Sequence, residues 1–518
     1  MNIRSLVARV AFVTSMAASI GLAAPACAGA VGHGGHGGHG VHSVRASTLA
    51  ELASAIETAN STGRATVIRV APGIYDASLQ YVSSYGPSSL PAVSADISIE
   101  GAGSDNTTLR GGSYFQRMFT VVPGGRLAIS GLTVTGNVAL CPPSECETKA
   151  GGAVANIEGT LWIDHCVFSA NSAGTTEGST AALGGAILST RGHLHLEDST
   201  VENNASMNGG GVAIIGGSAI VLRSIVRGNS LKGGRSNYGT VAGGGLLARD
   251  AAVWIVGSTF SANSAYEPID EYLGLGGGMF TSGGMLWMKD SSVVENRAGP
   301  VGSGAGIYNG GRMTIVNSTV GSNAAGTLGG GLFNAGSLEV RSSTVARNSV
   351  AGGHFFGAGN VVYPPGCRVG PSPQQQLCIS LGGGLWNEAT ATARIANTVI
   401  AENTKPGALS ADCGGMVVSN GRNALGADAD CVLQPANGST PPDLKNLAVG
   451  LGALLENGEP GFAHFPLLAG SPLIDAGGAV WDRCTLFDQI DHVRTDGNSD
   501  GRIRCDIGAI EFTRSGRR

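Results

Sequence analysis

Between residues 151 and 404 apolar and polar positions alternate with a period of two, in runs of three to five residues broken by Gly. A period of two marks strands, and runs this short exclude helices. The runs are organised in blocks. A Gly-rich tripeptide opens each block, an apolar pair follows, and an Asn closes it about 20 residues later. The closing residues are Asn171, Asn204, Asn229, Asn263, Asn296, Asn323, Asn348 and Asn403. The block from Gly329, GGGLFNAGSLEVRSSTVARNS, is representative: a short strand, a Gly turn, an alternating strand with Leu338 and Val340, and a second short strand with Thr344 and Val345. A block of this size buries no core alone and must stack on its neighbours. Three short strands per turn, stacked at ~4.8 Å, predict an all-β chain wound as a right-handed parallel β-helix, with aliphatic side chains in register inside. A β-propeller would need a period of ~40–45 residues, longer than the shortest interval here, Asn204 to Asn229.

The fixed Asn predicts two things: a turn with positive φ, which Asn tolerates, and a hydrogen-bonded ladder along the axis. The Gly pair predicts a corner with no room for a side chain or with unusual φ. Raw strand edges at the end of a stack need cover. Thr48-Leu-Ala-Glu51 reads as a capping box, and Leu49, Leu52, Ala53 and Ile56 share one helical face, so a short helix over 48–60 is the expected N-terminal lid. The domain reading is 1–28 signal peptide, 29–46 Gly/His-rich linker, 47–110 cap and first coils, 111–404 repeats, and 405–518 C-terminal coils and tail.

Length varies at one phase of the repeat, between each Asn and the next Gly pair, so the loops are expected along one edge. Three of them carry aromatic and acidic side chains: Tyr238; Tyr266, Glu267, Asp270, Glu271 and Tyr272; and Phe355 and Phe356 with His354 and Tyr363. Rings beside carboxylates suit sugars, which makes these the candidate ligand-binding residues. Solvated decoration of strand edges is the plainer alternative.

Gly accounts for 84 of 518 residues, and charged residues for only 13%, with a formal net charge of −5. Hydrophobic content of 42% excludes a disordered chain, and the lack of a basic stripe argues against nucleic acid. Arg4 and Arg9, an apolar run over 10–24 and Ala26-Cys27-Ala28 predict a secretory signal peptide, with a lipoprotein role for Cys27 as the rival reading. No later stretch reads as a transmembrane helix. His33, His36, His39 and His42 recur at three-residue spacing among glycines; imidazoles suit zinc, nickel or copper, but this backbone offers no fixed geometry, so a linker is preferred. Eight cysteines fall into local pairs, Cys141/Cys146, Cys367/Cys378, Cys413/Cys431 and Cys484/Cys505, the expected disulfides of a secreted protein. Cys166 is left as a buried thiol.

Phosphate-loop, zinc-protease, Cys-x-x-Cys and nucleophile-elbow motifs are absent from the sequence,. Trp162-Ile163-Asp164-His165 is similar to a string of pectate lyases, which are right-handed β-helices; that resemblance implies a calcium site near Asp164. The same frame holds LHLED, VWIVG, LWMKD and LEVRS in other blocks, and no partner Arg-x-Pro segment stands out. The strings SPLIDAG (471–477), Cys484-x-x-x-Asp488-Gln489 and CDIGAIE (505–511) resemble the end of bacterial surface β-helix proteins of the choice-of-anchor Q type, and the Gly…Asn blocks resemble repeats of polymorphic outer-membrane proteins. This resemblance implies an exported or envelope-associated β-helix with no defined catalysis. Asp496, Asn498, Asp500 and Asp506 have the oxygen spacing of a variant calcium loop, the alternative being an Asp/Gly-rich turn. The expected function is therefore a non-catalytic secreted or cell-surface protein, adhesin-like, that binds glycans or surfaces through its loop edge. A calcium-dependent polysaccharide lyase or other carbohydrate-active enzyme is the alternative, and a purely structural envelope protein is a third reading.

Overall fold

The computed structural model describes residues 41–513 apart from 113–114, 177–180, 233–239, 267–272, 352–353, 356–366, 370–375, 379–381, 407–410, 427–430, 437–440, 479–483 and 498–500. The chain is a parallel β-helix, with each coil contributing a strand to each of three long faces. The first face stacks four-residue strands such as Val154–Ile157, Ile187–Thr190 and Val212–Ile215. The second stacks five-residue strands, among them Thr160–Asp164, His193–Glu197 and Ser218–Leu222. The third stacks three-residue strands, from Val167–Ser169 through Thr200–Glu202 and Ile225–Arg227 to Val399–Ala401. All these pairings are parallel and in register, so one inward position of each strand forms a continuous column. Phe168, Val201, Val226 and Phe260 make one such column, all buried.

The structure adds a fourth short strand to the three expected. It follows the ladder Asn and pairs coil to coil, as in Val138–Cys141, Ser172–Thr175, Ala205–Ser206 and Ser230–Leu231. Single bridges continue the row through Ser264 to Arg297, and Ser349 pairs with Thr404. The variable loops therefore leave from one flank.

The closing Asn residues are not the left-handed residues. That conformation falls on the residue before each of them: Ala170, Asn203, Gly228, Ala262, Glu295, Ser322, Arg347 and Glu402 have φ between 52° and 61°. The left-handed residue turns the chain, and the Asn side chain that follows is directed into the core. There Asn171 donates its backbone N–H and its amide Nδ2 to Asn204 Oδ1, Asn204 does the same to Asn229, and the relay continues coil by coil to Asn403. The direction never reverses. The last acceptor is Asp412, whose Oδ1 takes both donors of Asn403. At the other end Asn137 Oδ1 is buried without a donor. A second relay of hydroxyls runs beside it: Cys166 N–H donates to Ser199 Oγ, Ser199 to Ser224, Ser224 to Ser258. Cys166 is a free thiol at the head of this row, and burial pushes it up to about 12, which leaves it unreactive. In the Gly pair the two residues act differently. Gly329 takes φ +58, whereas a Cβ on Gly330 would meet Ser349 O at 2.3 Å.

The N-terminal lid is the helix Leu49–Thr62. Thr48 Oγ1 accepts from Glu51 N–H, and Glu51 reaches back to Ser47 rather than to Thr48. The helix covers the core with Leu49, Leu52, Ala53 and Ile56. The linker is shorter than expected: His42–Ala46 is already a strand, paired in parallel with Thr66–Val70. Disulfides join Cys141–Cys146, Cys413–Cys431 and Cys484–Cys505, and the backbone sets Cys367 opposite Cys378.

The C-terminal region begins as coils, with strands Cys413–Ser419 and Cys431–Pro435 paired in parallel. The last coil strand among the described residues is Leu444–Lys445. The chain then folds back along the outside of the third face as a strap. Thr259 accepts from Gly461 N–H, Ser292 donates to Ala463 O, Thr319 donates to Gln489 Oε1, and Thr344 accepts from Ala509 N–H. Phe465 fills the place a side chain at Gly321 would occupy.

Candidate functional site

Outward positions of the second face form rows along the axis. The third residue of each strand gives Trp162, His195, Ile220, Trp254 and Trp287. The fifth gives Asp164, Glu197, Leu222, Val256 and Lys289. The corner residue that follows gives His165, Asp198 and Arg223, with φ of 50°, 43° and 40°. A left-handed corner in three successive coils aligns residues that are 25 to 33 positions apart in the chain.

Trp162 and His195 stack with centroids 3.5 Å apart and planes 9° from parallel. Each ring thereby covers one face of the other. His195 is 2% exposed and its Nε2 lies 2.8 Å from Glu197 Oε2. Arg223 donates to both oxygens of Asp198, at 2.8 and 2.6 Å, and also to Glu197 Oε1. His165 Nδ1 lies 2.7 Å from Asp164 Oδ1. Burial raises the carboxyl of Asp164, with the His165 contact opposing it. Burial would also raise Glu197, but the hydrogen bonds and charges of His195 and Arg223 outweigh it and hold Glu197 down at about 2. The Asp198 hydrogen bond, opposed by burial, raises Arg223.

Two of the three carboxylates thus share one guanidinium while Asp164 pairs with His165, and the corner is net negative whenever the imidazoles are neutral. Ligand atoms of Asp164, His165 and Asp198 lie within 4.8 Å of one another. A nitrogen with carboxylate oxygens suits zinc or manganese better than calcium, which prefers oxygen alone. Such an ion would share Asp198 with Arg223, which already occupies both its oxygens. Toward the next coils the patch ends on buried Ile220, Leu222, Trp254 and Val256.

A second aromatic row lies on the first face, where Phe280, Tyr308 and Phe333 stack at 5.1 and 4.7 Å. Trp386 follows in register and its Nε1 donates to Glu388.

The loop candidates fare differently. The Tyr266 ring lies against Gly299 in the next coil, 2.6 Å from where a Cβ would stand. Phe355 is placed by its backbone alone, opposite Gln376. Tyr238, Glu267, Asp270, Glu271, Tyr272 and Phe356 lie outside the described residues. In the tail, Asp496 Oδ2 accepts from Gly501 N–H. Asp506 is buried, and its oxygens accept from Asp475 and Phe512 N–H, so it is turned into the strap. Asn498 and Asp500 lie outside the described residues. Of the corner site, the sequence reading had isolated only Trp162, Asp164 and His165. His195, Glu197, Asp198 and Arg223 were missed, although LHLED sits in the same strand frame.

Fold and corner together define a parallel β-helix protein with a charged aromatic patch on its second face. Comparison with family models finds no match, and comparison with curated proteins finds none. Among solved structures the chain is similar to the A-module of the Azotobacter vinelandii mannuronan C-5 epimerase AlgE6, with 12% identity over 77% of this chain and 94% of that one, at a TM-score of 0.33. No helix among the described residues is long and apolar enough to cross a membrane.

Proposed function

We propose that this is an exported, non-catalytic β-helix that recognises carbohydrate, and that its recognition surface is the second-face corner rather than the loop edge. The observation that carries this reading is the co-location of a half-buried indole, two imidazoles, three carboxylates and a guanidinium on consecutive coils. The outer face and edge of Trp162 offer apolar contact to a sugar ring, and the carboxylates accept from its hydroxyls. Net negative charge favours neutral or amino sugars over polyuronates. The signal peptide and the resemblance to choice-of-anchor Q surface proteins support placement outside the cell or on its envelope, which fractionation of the native host tests. Titration of neutral, amino and acidic polysaccharides is expected to find a neutral or amino glycan ligand whose affinity falls about tenfold or more in Trp162→Ala. Absence of binding across the panel, or binding that Trp162→Ala leaves unchanged, overturns the proposal.

The Asp164–His165–Asp198 arrangement favours one second reading, a divalent-cation-dependent polysaccharide lyase or other carbohydrate-active enzyme. Against it, Arg223 is engaged by two carboxylates and is not free to neutralise a uronate. Appearance of unsaturated uronate products that chelator abolishes would decide for this reading.

A further inference from the structure

The strap that closes on the third face buries an unusual set of charges. Asp475, Asp488, Asp506 and Glu511 are each no more than 4% exposed, and Arg494 among them is 2% exposed. Arg494 donates to Glu511 Oε2 at 3.1 Å, to Asn317 Oδ1 at 2.9 Å and to the Gly508 carbonyl. Asp506 N–H donates to the same Glu511 oxygen, and Glu511 N–H donates to Asp488. The carboxylates therefore form one connected network around one guanidinium.

Among the described residues its other ionisable neighbours are few. His492 lies 3.6 Å from Asp488 and is half exposed. His464 is buried, and desolvation lowers it toward the neutral form. On the coil side the contacts are Asn317, Asn397 and Thr344, none of which titrates. Asp290 stands one hydrogen bond further, through Asn317, and pairs with Lys289. Arg422 donates to the strap at the Gly477 carbonyl.

Asp488, Asp506 and Glu511 are three buried carboxylates around the one guanidinium of Arg494, an excess of negative charge when all are ionised and a costly state in a dry interior,. Each proton taken up relieves it. We propose that the C-terminal strap is a proton-dependent clasp, docked on the coils with at least one carboxylic acid of the Asp488–Asp506–Glu511 network protonated and loosened when the network ionises fully.

The direction follows from linkage. Burial pushes Asp506 up to about 6 and Glu511 to about 7, and also raises Asp488, in each case over the opposing pull of Arg494 and backbone N–H groups. Carboxyls raised on docking stabilise the docked state most fully below their undocked values near 4. That stabilisation is lost as pH rises through 6 to 7.

Hydrogen exchange on the full chain between pH 5 and pH 9, corrected for intrinsic rates, tests the clasp. Strap peptides covering 461–465, 486–495 and 505–511 are expected to lose about tenfold or more of their protection between pH 6 and pH 8, while the coil strand Ser337–Arg341 keeps its own. Glu511→Gln and Asp506→Asn are expected to flatten that dependence. Strap protection that does not change with pH in the unmodified protein overturns the proposal, whatever the variants do. So does a pH dependence that persists undiminished in both variants.

Discussion

The third face has an open half and a covered half, built from the same repeat. In the open half the outward positions of successive strands hold Thr133 and Thr135, Val167 and Ser169, Thr200 and Glu202, Ile225 and Arg227, mostly half-buried or exposed. In the covered half they hold Ser292 and Val294, Thr319 and Gly321, Thr344 and Ala346, all buried. The inward residue hardly changes, being Val or another large apolar side chain throughout. What a strand must do inside is set by the stack, and what it does outside is set by whether the strap lies over it. The corner row divides in the same way. Asp198 and Arg223 pair with each other and His165 with Asp164 on the same face, whereas Asp290 and Asn317 are joined to the strap through Arg494.

The largest effect that would sharpen this contrast is removal of the buried cation. Arg494→Met leaves Glu511 without its partner, and a loss of roughly 3–5 kcal/mol is expected in the unfolding of the covered half by denaturant. Next comes a residue common to both halves. Asn296→Ala removes an acceptor for two donors of Asn263 and breaks the relay to Asn323, costing about 2–3 kcal/mol. Unlike the strap variant, it should lower protection on both sides of the break.

Shape gives a smaller test. Gly321→Leu collides with Phe465 and is expected to cost about 1–3 kcal/mol. Glu202→Leu, the matched change in the open half, should stay within roughly 0.5 kcal/mol by thermal melting. Equal costs would erase the distinction. The titrations should also separate. Glu197 is held low, so its contribution is present above its ordinary value and is lost as pH falls toward about 2,. Glu197→Gln should therefore lower stability at neutral pH, with the difference from the unmodified protein vanishing as pH falls toward about 2,, whereas Glu511→Gln should relieve a loss that sets in as pH rises through about 7,. The smallest effect is at the surface: Arg227→Ala breaks a pair with Glu202 for at most about 0.5 kcal/mol.

The coils were legible because every rung repeats one requirement. Gly329-Gly330 and Asn348 carry the same signal as their counterparts, and a period written eight times is hard to miss. The left-handed residue was misplaced by one because Ala170, Ser322 and Glu402 share no chemistry; their conformation is imposed by the turn and not by their side chains. The strap was less visible, since Phe465, Leu473 and Ile507 reach the face singly and show no period. Its trace lay elsewhere, in the change from Glu202 and Arg227 to Gly321 and Ala346 at equivalent positions. The corner site was half visible. Trp162 stands out in its strand, but nothing in the chain announces that Asp198 and Arg223 stand on the rungs above until the winding aligns them.

The one-way asparagine relay has a consequence for the whole molecule. A carboxamide both receives and passes on, so a stack of them invites another layer, as a growing fibre does. Asp412 receives from Asn403 and has no side-chain N–H to pass on; Asp443 receives from Asn423 in the same way. A carboxylate side chain in that place makes the column a terminated polymer, finite by its chemistry, and guards a molecule made of stackable units against joining end to end with its own kind.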